Sequence, residues 1–271
     1  NMSKAFGIVN FAGNHIQVDG LQAYRPVGAF SFLGRYRTID FPISNMSNSG
    51  IDNIEVYVRR KPRSLTEHLG TGRHYNINSK RGQLNIMYTE NNRIGDIYST
   101  DVAAYIENMD CIERIHLPYV VIAPSYMVYT ADYSTFLSEH IESGADISMM
   151  YHSVDNAKEA FLNCNTLNIN KQKGVLSIEP NHGNAKNKNI SMDTYVMSTE
   201  LFINLVKKAH KTSSMYTFAD ILNEECEELD IRAVSHRGYF AAICDFNSYY
   251  HANMDLIDLK HASDLFSPDW P

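Results

Sequence analysis

One stretch near the start of the chain reads Arg35-Tyr-Arg-Thr-Ile-Asp40-Phe-Pro-Ile-Ser-Asn45-Met-Ser-Asn-Ser-Gly50-Ile51. It predicts a helix over Ile39–Ser49. The side chain of Asp40 can accept hydrogen bonds from backbone N–H groups, so we expect it to cap the helix. Gly50 adopts the left-handed conformation that ends helices at little cost, so the helix is expected to stop there.

Short apolar runs alternate with amphipathic segments on both sides of this stretch. Tyr119–Ala123 is almost wholly apolar, as is typical of a strand in the middle of a parallel sheet. Asp132–Ser143 has apolar residues at the helical period and ends before Gly144. The remaining predicted strands are Ala5–Phe11, Ile54–Val58, Ile147–Tyr151, Thr194–Met197, Ile231–Ser235 and Tyr239–Ile243. The remaining predicted helices are Thr100–Met109, Glu200–His210, Phe218–Leu229, Asn247–Leu256 and one that begins at the capping box Ser64–Glu67.

The alternation of strands and helices predicts an α/β fold with a mostly parallel sheet. A hairpin predicted over Leu167–Ile169 and Val175–Ile178 makes that sheet mixed in its second half. Ligands of open α/β sheets bind beyond the carboxyl ends of the strands. We therefore expect the site among the loops that follow Phe11, Val58, Ala123 and Met197.

Composition excludes several classes of function. The 271 residues include 24 Lys and Arg against 31 Asp and Glu, giving a net charge of −7. A chain this acidic is a poor candidate for coating nucleic acid or a membrane surface, although local cations can still bind a small anion. The most apolar run is interrupted at Pro124 and is too short to span a bilayer. Four scattered cysteines favour thiols in the cytoplasm over a disulfide framework.

The Arg25–Ile51 stretch resembles the corresponding block of bacterial and plant glucose-1-phosphate adenylyltransferases. Ser64–Leu69, Ser191–Met192 and Tyr249–Leu256 resemble later motifs of that family, in the same order. The resemblance implies a Rossmann-like nucleotidyltransferase domain over residues 1–259. It also implies that residues 260–271 begin a linker to the family's left-handed β-helix, which we expect to be absent from this chain.

The resemblance also implies where ligands bind. Gly13, Arg25 and Arg37 match positions that border the nucleotide and its phosphates, and Ser191 and Asp193 match the sugar pocket. From the residues alone, Arg37 also fits a solvated surface charge, and Ser191 also fits a core position. The family uses Mg²⁺, which we do not expect this chain to bind tightly.

Several charged residues of the family's motifs are replaced in this chain. Val27 and Glu179 stand where lysines are expected, and Ser125 or Tyr126 and Ala242 stand where the family has metal-binding aspartates. Asp193 replaces a glycine beside the sugar pocket. This pattern resembles the GlgD-type subunit, a divergent paralogue that pairs with the catalytic subunit.

The implied function is that of a regulatory or weakly active subunit in glycogen synthesis. Its expected partners are the catalytic subunit, in a hetero-oligomer, and ATP or an anionic effector. Two alternatives stay open: an active sugar-phosphate nucleotidyltransferase with a rewired site, and a non-catalytic small-molecule sensor.

Overall fold

The computed structural model describes residues 4–11, 31–32, 36–58, 83–87, 100–244 and 246–257. The strands in these ranges are β1 (Ala5–Asn10), β2 (Ser31–Phe32), β3 (Tyr36–Arg37), β4 (Asn53–Tyr57), β5 (Gln83–Met87), β6 (Tyr119–Pro124), β7 (Met127–Val128), β8 (Ile147–Val154), β9 (Asn165–Ile169), β10 (Val175–Pro180), β11 (Lys188–Ser198), β12 (Ile231–Ser235) and β13 (Ala241–Ala242). The helices are α1 (Asp40–Asn48), α2 (Asp101–Glu107), α3 (Met109–Glu113), α4 (Tyr133–Ser143), α5 (Thr199–Thr212), α6 (Phe218–Glu224) and α7 (Phe246–Ile257).

A nine-stranded mixed sheet forms the centre of the fold. Strands β5, β4, β1 and β6 lie side by side and run parallel. Strand β11 runs antiparallel to β6, β8 and β9, and β12 runs parallel to β8. The β9–β10 hairpin attaches through β9. The predicted α/β class, the parallel first half and the hairpin are confirmed.

Alternate side chains of the strands pack into two separate hydrophobic cores, because successive residues of a strand point to opposite faces of the sheet. Val121 and Ala123 of β6 join a cluster that includes buried side chains of α1, α4 and α7. Val120 and Ile122 join a second cluster with α2, α3, α5 and α6. The sheet is therefore covered by helices on both faces. None of the described helices is both long and apolar enough to cross a bilayer.

The ends of helices α4 and α1 can be compared with the capping residues predicted from the sequence. Helix α4 begins after Asp132, whose side chain accepts the N–H of Ser134, and ends at Gly144 with φ 70°, as predicted. Gly50 follows α1 with φ 87°, also as predicted. The prediction that Asp40 caps α1 is wrong. The N-cap is Ile39, and no side chain caps this end, because Asp40 is already the first helical residue.

Three other predicted elements are clearly shorter than expected. The helix predicted over Thr100–Met109 ends at Glu107, because Asn108 leaves the helical conformation and donates its side-chain amide to Ala104 O. The helix predicted over Phe218–Leu229 ends at Glu224 and continues as a 3₁₀ turn. The strand predicted over Tyr239–Ile243 is reduced to the two residues of β13, which pair with β7.

Asn45 ties α1 to the segment that leads into α4. Its side-chain amide donates to Tyr129 O at 3.0 Å, and its Oδ1 accepts the N–H of Ala131 at 3.2 Å. Ser49 Oγ accepts the N–H of Tyr133 at 2.9 Å. Two polar residues of the Arg35–Ile51 stretch therefore satisfy backbone groups of a distant segment.

The turn of the β9–β10 hairpin covers part of the edge of β12. Lys173 O accepts the N–H of Ala233 at 2.7 Å, and Gly174 forms a bridge with Arg232. Strand β12 thus has hydrogen-bond partners on both sides along part of its length.

The buried carboxyl of Glu55 in β4 makes the stability of the protein depend on pH. Glu55 is 1% exposed. Burial raises the pKa of its carboxyl to about 7, although the Tyr57 hydroxyl, which donates to it at 2.8 Å, lowers it. The native state therefore binds more protons than the unfolded state between about pH 4.5 and 7, so stability falls as pH rises through that window.

Glu55→Gln removes this titration. We expect the stability of the variant relative to the wild type to rise by about 2–3 kcal/mol between pH 5 and pH 8, measured by urea denaturation. Glu159→Gln, the same change at an exposed position, is the control. An equal pH dependence of wild type and Glu55→Gln would contradict the prediction.

Candidate functional site

A cavity of about 450 Å³ opens at the carboxyl ends of the parallel strands β1 and β6. Beyond these strands, its walls come from the starts of β9 and α2, the end of β10, the middle of β11 and the N-terminal part of α6. A depression of about 380 Å³ lies beside Tyr119 and His140 at the opposite edge of β6. The cavity at the carboxyl ends of β1 and β6 is the better candidate, because ligands of α/β sheets bind at that edge.

The expectation of a ligand loop after Met197 is wrong. Strand β11 runs antiparallel to β6, pairing Met197 with Val120, so its carboxyl end lies at the opposite edge of the sheet. It reaches the cavity through a break in its register between Ser191 and Tyr195. At this break Asp193 has a φ of 46°, a conformation that asparagine and aspartate tolerate better than most residues. The break turns the Asp193 side chain into the cavity wall.

Three hydroxyl groups hold the Asp193 carboxylate. Tyr126 donates to Oδ2 at 2.5 Å, while Tyr195 and Ser191 donate to Oδ1 at 3.2 and 3.3 Å. The Asp193 N–H donates in turn to Ser191 Oγ at 3.2 Å. Burial, together with the charge of Asp193, raises the pKa of Tyr126 and of Tyr195 well above the ordinary value. Both tyrosines therefore stay protonated and act as donors.

A second carboxylate lines the same cavity. Asp101 Oδ1 accepts the N–H groups of Val102 at 2.8 Å and Phe218 at 3.0 Å, and its Oδ2 accepts the Asn10 amide at 3.2 Å. Burial raises the Asp101 pKa to about 6, although these three donors lower it; the charge of Asp193 adds to the rise. Asn10 Oδ1 is buried with no hydrogen-bond partner among the described residues.

The polar groups of the lining are hydroxyls, amides, carboxylates and the imidazole of His182. Asp220, the third acidic residue of the wall, closes a capping box with Thr217 at the start of α6. The described lining residues include three aspartates and no Lys or Arg. Such a wall can exchange hydrogen bonds with the hydroxyls of a ligand, but its negative charge opposes a phosphate.

The structure separates the predicted site residues. Asp193 lines the cavity, whereas Ser191 is fully buried behind it and acts on the cavity through Asp193. Arg37 lies in β3, which pairs with β2. Gly13, Arg25, Val27, the predicted helix start at Ser64 and the predicted boundary at 259 lie outside the described residues.

The residues at the implied metal positions do not fit Mg²⁺. Ser125 and Ala242 are 5% and 4% exposed and offer no carboxylate, and Tyr126 is a protonated phenol. Mg²⁺ in proteins is held by one or two carboxylates, together with water and substrate phosphates. The Asp193 oxygens already accept three hydroxyls, and the described residues contain no group of three His, Cys, Asp or Glu suited to a metal.

The sequence alone gave no signal for Asn10, nor for the role of Asp101. They lie 91 residues apart in the chain, and Phe218 lies a further 117 residues from Asp101. Asp101 looks like an acidic residue placed to favour a helix N-terminus. The actual cap of α2 is Thr100, whose Oγ1 accepts the N–H of Ala103 at 3.1 Å.

An α/β sheet with a cavity at the carboxyl ends of its parallel strands has the architecture of a ligand-binding α/β domain, the class that includes nucleotide-binding proteins. The family model described as "Nucleotidyl transferase" matches residues 12–258, and the chain belongs to that family. It is similar to the glucose-1-phosphate adenylyltransferase of Clostridioides difficile, at 29% identity over 89% of this chain and 64% of the relative. It is also similar to the glycogen biosynthesis protein GlgD of Geobacillus stearothermophilus, at 26% identity over 99% of this chain and 68% of the relative.

These matches confirm the family predicted from the Arg25–Ile51 stretch. The chain spans about 64% of the length of the adenylyltransferases that it matches. The fold also matches a Bacillus anthracis structure provisionally described as a glucose-1-phosphate thymidylyltransferase in complex with a sucrose. That match has a TM-score of 0.73 at 14% identity and covers 94% of this chain and 96% of the other, so it bears on the fold alone.

Asp193 provides a test of how the cavity wall is held. Asp193→Ala leaves three hydroxyls without their acceptor and puts alanine at a positive φ, so we expect a loss of about 2–4 kcal/mol of stability. Asp193→Asn keeps an acceptor and tolerates this conformation, so its loss should stay below about 1 kcal/mol. Chemical denaturation measures both. Equal losses in the two variants would contradict this account of the wall.

Proposed function

We propose that this chain belongs to a regulatory, weakly active or inactive subunit of glucose-1-phosphate adenylyltransferase in glycogen synthesis. The proposal is carried by one observation: the wall of the candidate cavity holds Asp193 against the Tyr126 hydroxyl. The family resemblance implies a metal-binding aspartate at Ser125 or Tyr126 and a glycine of the sugar pocket at Asp193. In this chain the carboxylate stands at the glycine position, where it accepts three hydroxyl groups.

The chemistry of nucleotidyl transfer supports low turnover. A sugar phosphate attacks the α-phosphorus of ATP, and catalysis depends on neutralising charge and positioning the phosphates. Removing one preorganised donor typically costs about 10²–10³-fold in rate. Here Val27, Glu179 and Ala242 replace three charged residues that the resemblance implies, and the described cavity wall contributes negative charge in their place.

The same charges suggest which ligand is retained. Asp193 in the cavity wall acts against a sugar phosphate. Glu179 replaces the sugar-phosphate lysine that the resemblance implies, so that cation is missing. Arg25 and Arg37 remain at positions implied to border the nucleotide, and arginine binds phosphate through two parallel hydrogen bonds. We therefore assign this subunit weak binding of ATP or of an anionic effector, and a hetero-oligomeric partnership with the catalytic subunit.

The first test is turnover. The purified chain with ATP, glucose 1-phosphate and Mg²⁺ should release pyrophosphate barely above the rate without protein. Added to the catalytic subunit, the full-length protein should co-elute with it and change its turnover or its response to effectors. The catalytic subunit alone is the control. Robust turnover by the chain alone would instead support an active enzyme. If the mixture shows unchanged elution and kinetics, the proposed partnership is wrong.

Calorimetric titration gives the second test. We expect ATP to bind more tightly than glucose 1-phosphate. Arg37→Ala should lower the affinity for ATP about tenfold, because a charged hydrogen bond is lost. Asp193→Gly removes a negative charge from the cavity and should strengthen glucose 1-phosphate binding. Tighter binding of glucose 1-phosphate than of ATP by the wild type would refute the assignment. An Arg37→Ala variant that folds and binds ATP unchanged would refute the role of Arg37.

A further inference from the structure

Two cysteines that are distant in the chain meet beside the cavity. Cys164 Sγ and Cys244 Sγ lie 3.2 Å apart, although the residues are separated by 80 positions. All four cysteines carry thiols in this structure. The other two contact different groups: Cys111 Sγ lies 3.8 Å from the Arg114 guanidinium, and Cys226 donates to Leu222 O.

The backbone on both sides of this thiol pair is fixed by hydrogen bonds. Cys164 O accepts the N–H of Asn181 at 2.7 Å, which joins the start of β9 to the end of β10. Cys244 N–H donates to Ser248 Oγ at 2.8 Å, at the start of α7. The short distance between the two sulfurs is therefore set by the backbone, because each cysteine is held by a different part of the fold.

One cysteine adjoins the cavity wall along the chain, and the other is joined to the wall through a hydrogen bond of its neighbour. Asn163 and Asn165, the neighbours of Cys164, line the cavity. Ile243, the neighbour of Cys244, donates its N–H to Tyr126 O at 2.8 Å. Tyr126 is the residue that holds Asp193. A covalent bond between the two sulfurs would therefore tie the Asn163–Asn165 part of the wall to the segment that is hydrogen-bonded to Tyr126.

We propose that Cys164 and Cys244 are a modification site, at which oxidation forms an intramolecular disulfide that fixes the cavity wall. The oxidant is a low-molecular-weight disulfide of the glutathione class. Cys244 is half-buried and Cys164 is fully buried, so Cys244, the more accessible of the two, reacts first. The formation of the bond does not depend on the proposed function, because it is measured on the protein itself.

The reaction proceeds by two exchanges. The Cys244 thiolate attacks one sulfur of the small disulfide, forms a mixed disulfide and releases one small thiolate. Cys164 loses its proton and attacks Cys244 Sγ, which breaks the mixed disulfide and releases the second small thiolate. The two protein thiols are oxidised by two electrons, and one small disulfide is reduced to two thiols. The sulfurs must approach by only about 1 Å to reach bonding distance.

The test treats the purified chain with oxidised glutathione and maps the product by mass spectrometry without reduction. We expect a loss of two hydrogens, a peptide pair joined through Cys164 and Cys244, and a melting temperature higher by roughly 5–10 °C, because the bond closes a long loop. Hydrogen exchange should slow in peptides that contain Asn163–Asn165 and Ile243. Reduction should reverse all these changes.

Two variants separate this site from general thiol chemistry. The double variant Cys111→Ser/Cys226→Ser keeps the pair and should behave as the wild type. Cys244→Ser changes the half-buried member and should show no gain in melting temperature and no internal bond. No reaction of the wild type, a glutathione adduct that persists on Cys244, or a bond that involves Cys111 or Cys226 would overturn the proposal.

Discussion

The register break in β11 is the constraint on which the arrangement of the sheet depends. The first part of this strand pairs with β8 and β9, and the last part pairs with β6 and β8. A strand in one continuous register would have no residue turned out of the ladder. Because the register shifts between Ser191 and Tyr195, Asp193 leaves the ladder and its carboxylate becomes the acceptor for three hydroxyls.

The two carboxylates of the cavity are stabilised by different means. Asp193 is surrounded by side-chain hydroxyls, whereas Asp101 receives two backbone N–H groups and one amide. Hydroxyls can rotate to become acceptors for a ligand, but a backbone N–H cannot. The Asp193 side of the wall can therefore adapt to a ligand, and the Asp101 side keeps its hydrogen bonds.

Local signals predicted most of the fold, because they act within a few residues. Asp132 and Gly144 fix the ends of α4 through contacts inside the helix, so their residue types suffice to place it. Asp40 has the residue type of a cap, but the chain enters α1 through a backbone turn in which Phe41 N–H donates to Thr38 O. The start of α1 is therefore set by the tertiary surroundings of Thr38 and Ile39, which are both buried, and not by the residue type at position 40.

The site was predictable only in part. Asp193 was predicted as a site residue from its place in a motif. Nothing in the spacing of the sequence linked it to Tyr126, which lies 67 residues away. Strand β11 was predicted from Thr194 onward and begins at Lys188. Its first half is rich in polar residues, whose strand conformation comes from pairing with β8 and β9 rather than from propensity.

The hairpin turn against β12 has a consequence for assembly. An edge strand with unsatisfied N–H and C=O groups is a template on which another chain can extend a sheet. Lys173 and Gly174 occupy part of that template from within the same molecule, at Ala233 and Arg232. Along this length the edge is closed to strand addition, which removes one route to fibrous aggregation and leaves contact between side-chain surfaces as the way for another molecule to bind here.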